Sequence, residues 1–424
     1  MACALPGLQL DLAATAPQLA GYGNAGFAIT TGSATAQAQF NQGLRQAYAF
    51  NEAEAVRMFK AALAADPNCA MCAWGVAWQL GPNINATERG DMAQALRYAD
   101  LAQRRATGGT AREQALIDAM ALRYGQGAGT PLPAPMLADV CARPGGKAAH
   151  PLDIAYADRL HSLIERWPDD ADLLSLWAEA EMVATRDDWW RDDGSAAGRL
   201  GELADRLAAA LALQPEHTGL NHYLIHTVDA SPRVHMAVAA ADRLGTLAPA
   251  SPHLVHMPSH IHVRVGRFAD ATAENQRALA LDDSLATELK AQGFAVSKDW
   301  RGHNSQFAWF AALMEGRGDL AEGRNADAIA TLTLALAAVK LADDAEPPLL
   351  GAGMRPALGD LQLRAGQPAA AEKTFRADLA VWPASGWALR GLQRALAAQG
   401  RTAEAAVVAA DLTRQWASAD PRLR

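Results

Sequence analysis

Nine of the eleven histidines in this 424-residue chain fall between positions 217 and 303, where uniform scatter would place about two. Two spacings inside that window have chemical meaning. In Asn221-His222-Tyr223-Leu224-Ile225-His226 the imidazoles stand at i and i+4, on one face of a helix and one turn apart. His256-Met257-Pro258-Ser259-His260 repeats the spacing. Such a pair can converge on a single metal ion, since neighbouring side chains at this spacing suit two nitrogens at roughly 2.0–2.1 Å from a shared centre. Two pairs on facing helices would make a four-nitrogen pocket. His253, one turn before His256, and His303, in Arg301-Gly302-His303-Asn304, are further candidate ligands, and Asp229 extends the face of His222 and His226 by a turn. Pro258 lacks a backbone donor and should kink its helix, re-aiming His260 relative to His256. Taken one at a time, each histidine is better explained as a hydrogen-bonded core or rim residue. The two pairs together favour a shared site, and His217, His235 and His262, which lie off the paired faces, keep the ordinary reading.

These side chains need helices to hold them. Gly366 and Gly400, like Ala371 and Ala405, are 34 residues apart within apolar helical patterns, which is the tetratricopeptide (TPR) period. That repeat is an antiparallel helix pair with a small residue at the crossing, Ala and Phe on the second helix, and Pro to end it. Leu358-Gly359, Gly366, Ala371, Phe375 and Pro383 have the required spacing, as do Gly43, Ala55, Phe59, Ala62 and Pro67. Weaker copies run through Gly316, Gly323, Ala328 and Ala335, and through Gly266, Phe268, Ala271 and Ala278, the last expected to end at Asp282-Asp283. Tyr156 to Arg166 and Asp172 to Ala184 are helical by apolar period, and no strand pattern competes. The expected fold is all-α, a TPR-like right-handed superhelical solenoid of antiparallel helix pairs. Residues 1–35 read as an irregular N-terminal segment, 36–142 as N-terminal repeats, 143–310 as the histidine-rich central repeats, and 311–424 as C-terminal repeats of one continuous solenoid. Loops are expected at Gly125 to Pro135, Arg143 to Lys147 and Asp343 to Pro348, with a helix-ending turn at Gly81-Pro82-Asn83-Ile84-Asn85.

Composition narrows the function classes. A formal net charge of −8 without basic runs gives no footprint for nucleic acid or for anionic membranes. No apolar stretch approaches the roughly 20 residues of a spanning helix. The start lacks a basic region followed by an apolar one, so a cytoplasmic protein is expected, with a removed leader left open. Of the four cysteines, Cys3, Cys69, Cys72 and Cys141, the pair Cys69-x-x-Cys72 has no second pair to complete a zinc site and reads as small apolar residues on a helix. Asp187-Asp188-Trp189-Trp190-Arg191-Asp192-Asp193-Gly194 reads as a solvated loop anchored by one Trp, with a pocket cover as the alternative. Of Glu179 and Glu181, in an apolar helix, one is expected to face solvent and the other to reach a metal or an Arg. No phosphate loop, nucleophile elbow or dinucleotide fingerprint is present.

Tyr48-Ala49-Phe50-Asn51 with Glu54-Ala55, Asp66-Pro67 with Cys69 and Trp74-Gly75, Gly81-Pro82-Asn83, Asn221-His222-Tyr223 with Ile225-His226 and Ala230-Ser231-Pro232, His253-Leu254-Val255-His256-Met257-Pro258-Ser259-His260-Ile261, His303-Asn304, and Trp387-Ala388-Leu389 with Gly391-Leu392 span nearly the whole chain. In these blocks it resembles a bacterial family of TPR proteins with a histidine-rich centre. The resemblance implies the fold. The family pattern carries His where this chain has Glu52 and Glu where it has Asp229, so at a metal centre Glu52 would supply oxygen in place of nitrogen or mark the loss of a peripheral ligand.

Two function classes follow. The first is a metal-dependent enzyme, an oxidoreductase acting on a small molecule at a transition-metal centre. Copper is favoured because six histidines, His222, His226, His256, His260, His303 and His253, can serve two ions with three nitrogens each. Zinc or iron with Asp229 or Glu52 as carboxylate partner would favour hydrolysis or oxygenation. Asp229, Glu52 and Glu179 are the candidate catalytic carboxylates. The second class is a scaffold that seats a peptide or protein in a concave groove without catalysis.

Overall fold

The computed structural model describes residues 15–85, 92–126, 149–186, 189–191, 193–296, 300–305, 307–308, 311–312, 325–339, 354–381 and 385–415. Among these, residues 15–33 are irregular, Trp190 and Ala196 form an isolated bridge, and helices joined by turns and loops make up most of the rest. The chain divides into two compact units: residues up to Val265 with Ala280–Asp299, and Gly266–Leu279 with Trp300–Arg424.

In the first unit, α1 (Ala34–Tyr48) starts where the Ser33 hydroxyl accepts from the backbone N–H of Ala36, and α2 (Glu52–Ala65) follows after three residues. So short a connection can only fold α2 back antiparallel on α1. α3 (Ala70–Gln79) completes the layer. Phe59 of α2 lies wedged between Gly43 of α1 and Gly75 of α3, where a Cβ would stand 2.6 and 2.5 Å from its ring. The small-residue crossing of the repeat is therefore a slot for one phenyl ring. α4 (Met92–Arg105) and α5 (Ala111–Arg123) form the next pair, α5 opening on a capping box of Thr110 and Glu113. α6 (Pro151–Arg166), α7 (Ala171–Thr185), α8 (Leu200–Leu213) and α9 (Thr218–Val228) follow. α7 and α9 are buried almost throughout, their polar side chains included. Beyond α9 come a short 3-10 turn (Val234–Ala237), α10 (Val238–Leu247), α11 (Pro252–His256) and α12 (Pro258–Arg264). Helix α13 (Phe268–Ala291) divides between the two units.

The second unit contains α14 (Asn325–Val339), α15 (Met354–Arg364), α16 (Pro368–Val381), α17 (Gly386–Ala398) and α18 (Thr402–Gln415). Phe375 of α16 repeats the first unit's wedge between Gly359 of α15 and Gly391 of α17, where added Cβ atoms would stand 2.5 and 2.1 Å from the ring. Ala371, Ala388, Leu392 and Ala395 close the core around it. The fold is thus all-α and TPR-like in both units.

Four details differ from the sequence reading. Cys69 and Cys72 are joined in a disulfide, not lone apolar residues. The Cys69 sulfur also accepts the Cys72 N–H at 3.0 Å, because the two residues occupy the N-cap and first turn of α3, where their side chains meet. Glu179 and Glu181 are both buried, because α7 is covered on all sides. Glu181 takes the Arg199 guanidinium at 2.6 Å, and Glu179 takes the Trp78 indole N–H at 2.6 Å. α13 runs through Asp282-Asp283 without ending, since no proline is there to stop it. Both Trp189 and Trp190 anchor their loop, donating to the carbonyls of Met182 at 3.0 Å and Thr227 at 2.7 Å. Cys3, Cys141, Asp187, Asp188, Asp192, Gly316, Gly323, Pro383 and the expected loops at Arg143 to Lys147 and Asp343 to Pro348 lie outside the described residues, as does Gly125 to Pro135 beyond residue 126. No described helix is long and apolar enough to cross a membrane.

The ring slot makes a direct prediction. Gly391→Ala drives a methyl into Phe375 and should lower stability by about 1–3 kcal/mol, the usual cost of overpacking a tight core. Gly32→Ala, which meets nothing within 4 Å, should stay within about 0.5 kcal/mol of the parent. Denaturant midpoints measure both, and equal midpoints would contradict the slot.

Candidate metal centre

The histidine site is assembled by three pieces of the first unit. Helix α9 begins where His217 caps it, Nδ1 accepting from the N–H of Leu220 at 3.1 Å. His222 and His226 then project from its buried face, one turn apart. α11 begins where the Ser251 hydroxyl accepts from Leu254 N–H at 3.2 Å, and it carries His253 and His256. At Met257 the helix breaks, because Pro258 cannot donate to the turn behind it, and α12 restarts with His260. The third piece is the turn between α1 and α2, residues Ala49 to Asn51.

His222 is fully buried. Its Nδ1–H donates to the backbone carbonyl of Tyr48 at 2.8 Å. A carbonyl can only accept, so Nδ1 carries the proton and the Nε2 of neutral His222 presents a bare lone pair. Burial pushes the His222 imidazolium down to about 3, opposed in part by that carbonyl. At neutral pH the ring is therefore uncharged, as a metal ligand must be. Its Nε2 lies 3.0 Å from Nε2 of His226 and 3.1 Å from Nε2 of His253. Donor atoms of the three residues lie within 4.8 Å of one another. Three nitrogens held tetrahedrally at 2.0–2.1 Å from an ion stand roughly 3.3–3.4 Å apart, so the separations of His226 and His253 from His222 need open by only a few tenths of an ångström to suit one.

The second pair sits alongside. Nε2 of His256 and Nε2 of His260 are 3.0 Å apart, and His260 Nδ1–H donates to Asp229 Oδ2 at 3.0 Å. The ring centroids of His253 and His256 are 6.1 Å apart and those of His226 and His260 are 6.2 Å apart. His222, His226, His253, His256 and His260 thus form one contiguous group. Asp229 touches it through a ligand candidate, holding the His260 tautomer from behind. His303 belongs to the second unit, its ring 5.6 Å from Trp300 and 5.3 Å from Phe307. His262 turns away to Asp242 at 3.3 Å.

Three supporting residues carried no role in the sequence reading. Phe50 lays its ring over the trio, with centroids 4.5 Å from His222, 4.9 Å from His253 and 5.5 Å from His226. It does so with a backbone φ of +54°, a left-handed conformation that costs a side-chain-bearing residue roughly 1–2 kcal/mol. Tyr48 supplies the carbonyl, and its hydroxyl donates to Asp172 Oδ1 at 2.9 Å. Asp172 also faces His217 at 3.4 Å. Burial alone would raise the Asp172 carboxyl, but the hydrogen bonds from His217 and Tyr48 outweigh it and hold the group below the usual range. An Asp in the first turn of a helix was the one signal for it in the sequence.

Glu52 and Glu179 meet elsewhere, in a tight cleft also lined by Phe50, Trp78 and Asn83. Asn83 Nδ2 donates to Glu52 Oε1 at 3.2 Å. Burial raises the Glu179 carboxyl, opposed by Arg123 and the Trp78 indole. Phe50 is the wall shared by this cleft and the histidine trio.

No protein-family model matches the chain, and no curated protein matches it. Among solved structures it is similar to the crystal structure of MamA protein, at 13% identity and a TM-score of 0.29 over 52% of this chain and 93% of that one. It is also similar to the TPR domain of P58(IPK), at 12% and 0.23 over 90% and 93%, and to the APC/C hetero-tetramer Cut9-Hcn1, at 12% and 0.27 over 92% and 74%. These likenesses concern the fold alone.

The Asp172 network has a measurable pH signature. Because the folded carboxyl lies below its unfolded value of about 3.9, its stabilisation is present above that value and fades as pH falls through the folded one. Asp172→Asn should therefore lose about 1–3 kcal/mol at pH 7, and the gap to the parent should narrow below about pH 4. Urea midpoints at pH 7 and pH 3 measure this, and a gap of constant size would show that the charge of Asp172 contributes nothing.

Proposed function

We propose that this chain is a transition-metal protein built on a TPR-like scaffold, with His222, His226 and His253 as ligands of a buried ion. One observation carries the reading: the His222 Nε2 lies 3.0 Å from the Nε2 of His226 and 3.1 Å from the Nε2 of His253, with the His222 tautomer set by the Tyr48 carbonyl. An all-nitrogen donor set without thiolates suits copper, with zinc and iron next. Three protein ligands leave a coordination position open, the pattern of a catalytic site and not of a structural one. A bound copper ion would supply one-electron redox chemistry on a small molecule, which makes an oxidoreductase the favoured activity. The chain's own contribution is to keep His222 neutral, to fix its aim through Tyr48, and to cover the three rings with Phe50.

A second reading is a scaffold for a peptide partner. It is favoured by the second unit, where Trp387 on α17 is 52% exposed beside Arg390 and Val407 on α18 is 65% exposed.

Elemental analysis of protein purified without an affinity tag, after incubation with copper, zinc or iron salts and removal of free metal, separates the two. Stoichiometric metal is expected. His222→Ala and His253→Ala should each weaken binding by roughly 10-fold or more, the scale reached even when groups behind a ligand are lost, while His262→Ala should bind like the parent. A parent protein that retains no metal would leave the scaffold reading standing.

A further inference from the structure

We propose that His256 and His260 hold a second metal ion beside the first, making the centre dinuclear. The proposal rests on the three-histidine reading and adds a separate position to it.

The second pair repeats the features that mark the first site. Its Nε2 atoms approach to 3.0 Å. His260 donates through Nδ1 to Asp229, so in the neutral ring Nε2 is the bare nitrogen, as it is in His222. A carboxylate behind a ligand imidazole is a recurrent support of metal sites, since it sets the tautomer and makes the nitrogen more basic. The pair does not merge with the trio, because His222, His226 and His253 form a complete set within 4.8 Å and His256 and His260 are not part of it. The two sets are nonetheless adjacent, with ring centroids 6.1 and 6.2 Å apart across the junction. Paired ions in known two-metal sites stand roughly 3.5–4 Å apart, a separation that neighbouring imidazole sets can span.

The break at Pro258 produces this arrangement. It divides the histidines of the segment between α11 and α12, so that His253 faces α9 while His260 swings to Asp229 at the end of that helix. The side chains of His260 and Asp229 are 11% and 32% exposed, whereas His222 and His253 are sealed.

The test uses the full chain without an affinity tag, loaded with copper(II) or, in parallel, zinc(II), freed of unbound metal and analysed for metal content. The copper form is also examined by electron paramagnetic resonance. Two ions per chain are expected for either metal, with a copper signal well below that of two isolated spins because neighbouring ions couple. His260→Gln and His256→Gln/His260→Gln should bind one ion and show one full spin, with the helical circular dichroism of the parent. One ion per parent chain with a full single-spin signal would overturn the second site and leave the first, the close nitrogens of His256 and His260 then being an ordinary hydrogen bond. Two ions retained by the double variant would overturn it as well, since the second ion would sit elsewhere. No ion in the parent with either metal would overturn both readings.

Discussion

The hydrogen bond from His222 Nδ1–H to the Tyr48 carbonyl joins residues 174 positions apart in the chain, and the rest of the centre depends on it. A buried imidazole without a partner would cost free energy and have no defined tautomer. The carbonyl satisfies one nitrogen, and the other is left to face His226 and His253. The same turn that offers the carbonyl delivers the Phe50 ring, so one short connection between α1 and α2 both aims the trio and covers it. Tyr48 is held from its other end by Asp172. The path from Asp172 through Tyr48 to His222 is a continuous chain of hydrogen bonds and covalent backbone.

That turn can be where it is because the repeat beneath it is stiff. Phe59 fills a slot whose two walls are glycines, which lets the three helices of the first layer approach more closely than side chains would permit. Phe375 does the same for the second unit. A slot this narrow tolerates little change of volume in either direction, so the helix ends it connects are held at a fixed spacing.

Much of this was legible in the sequence. The i, i+4 spacing placed His222 with His226 and His256 with His260 because helical geometry dictates it, and Pro258 foretold a break because a missing donor cannot be replaced. The Gly43 and Phe59 offsets likewise announced the layer. Other features depend on neighbours distant in the chain and left no local trace. His253 seemed to belong with His256, one turn away, yet its Nε2 faces His222 across to another helix. One of Glu179 and Glu181 is expected at the surface from the sequence, because no local pattern shows that Trp78 and Arg199 wait beside them. The bond between Cys69 and Cys72 depends on where α3 begins, and helix boundaries are the least certain part of any periodicity. Tyr48 contributes a main-chain atom, which its side-chain identity cannot advertise.

Phe50 is under two opposed demands. Its backbone sits at φ +54°, a conformation that glycine adopts freely and asparagine tolerates, yet its ring is what lies over the three imidazoles. Substitution by glycine or asparagine would relax the main chain and uncover the histidines. Substitution by another aromatic would retain the cover and the strain together. A residue in this position has no single replacement that improves both properties, so the site is held at a compromise, with part of the fold's stability forgone to keep a ring over nitrogen.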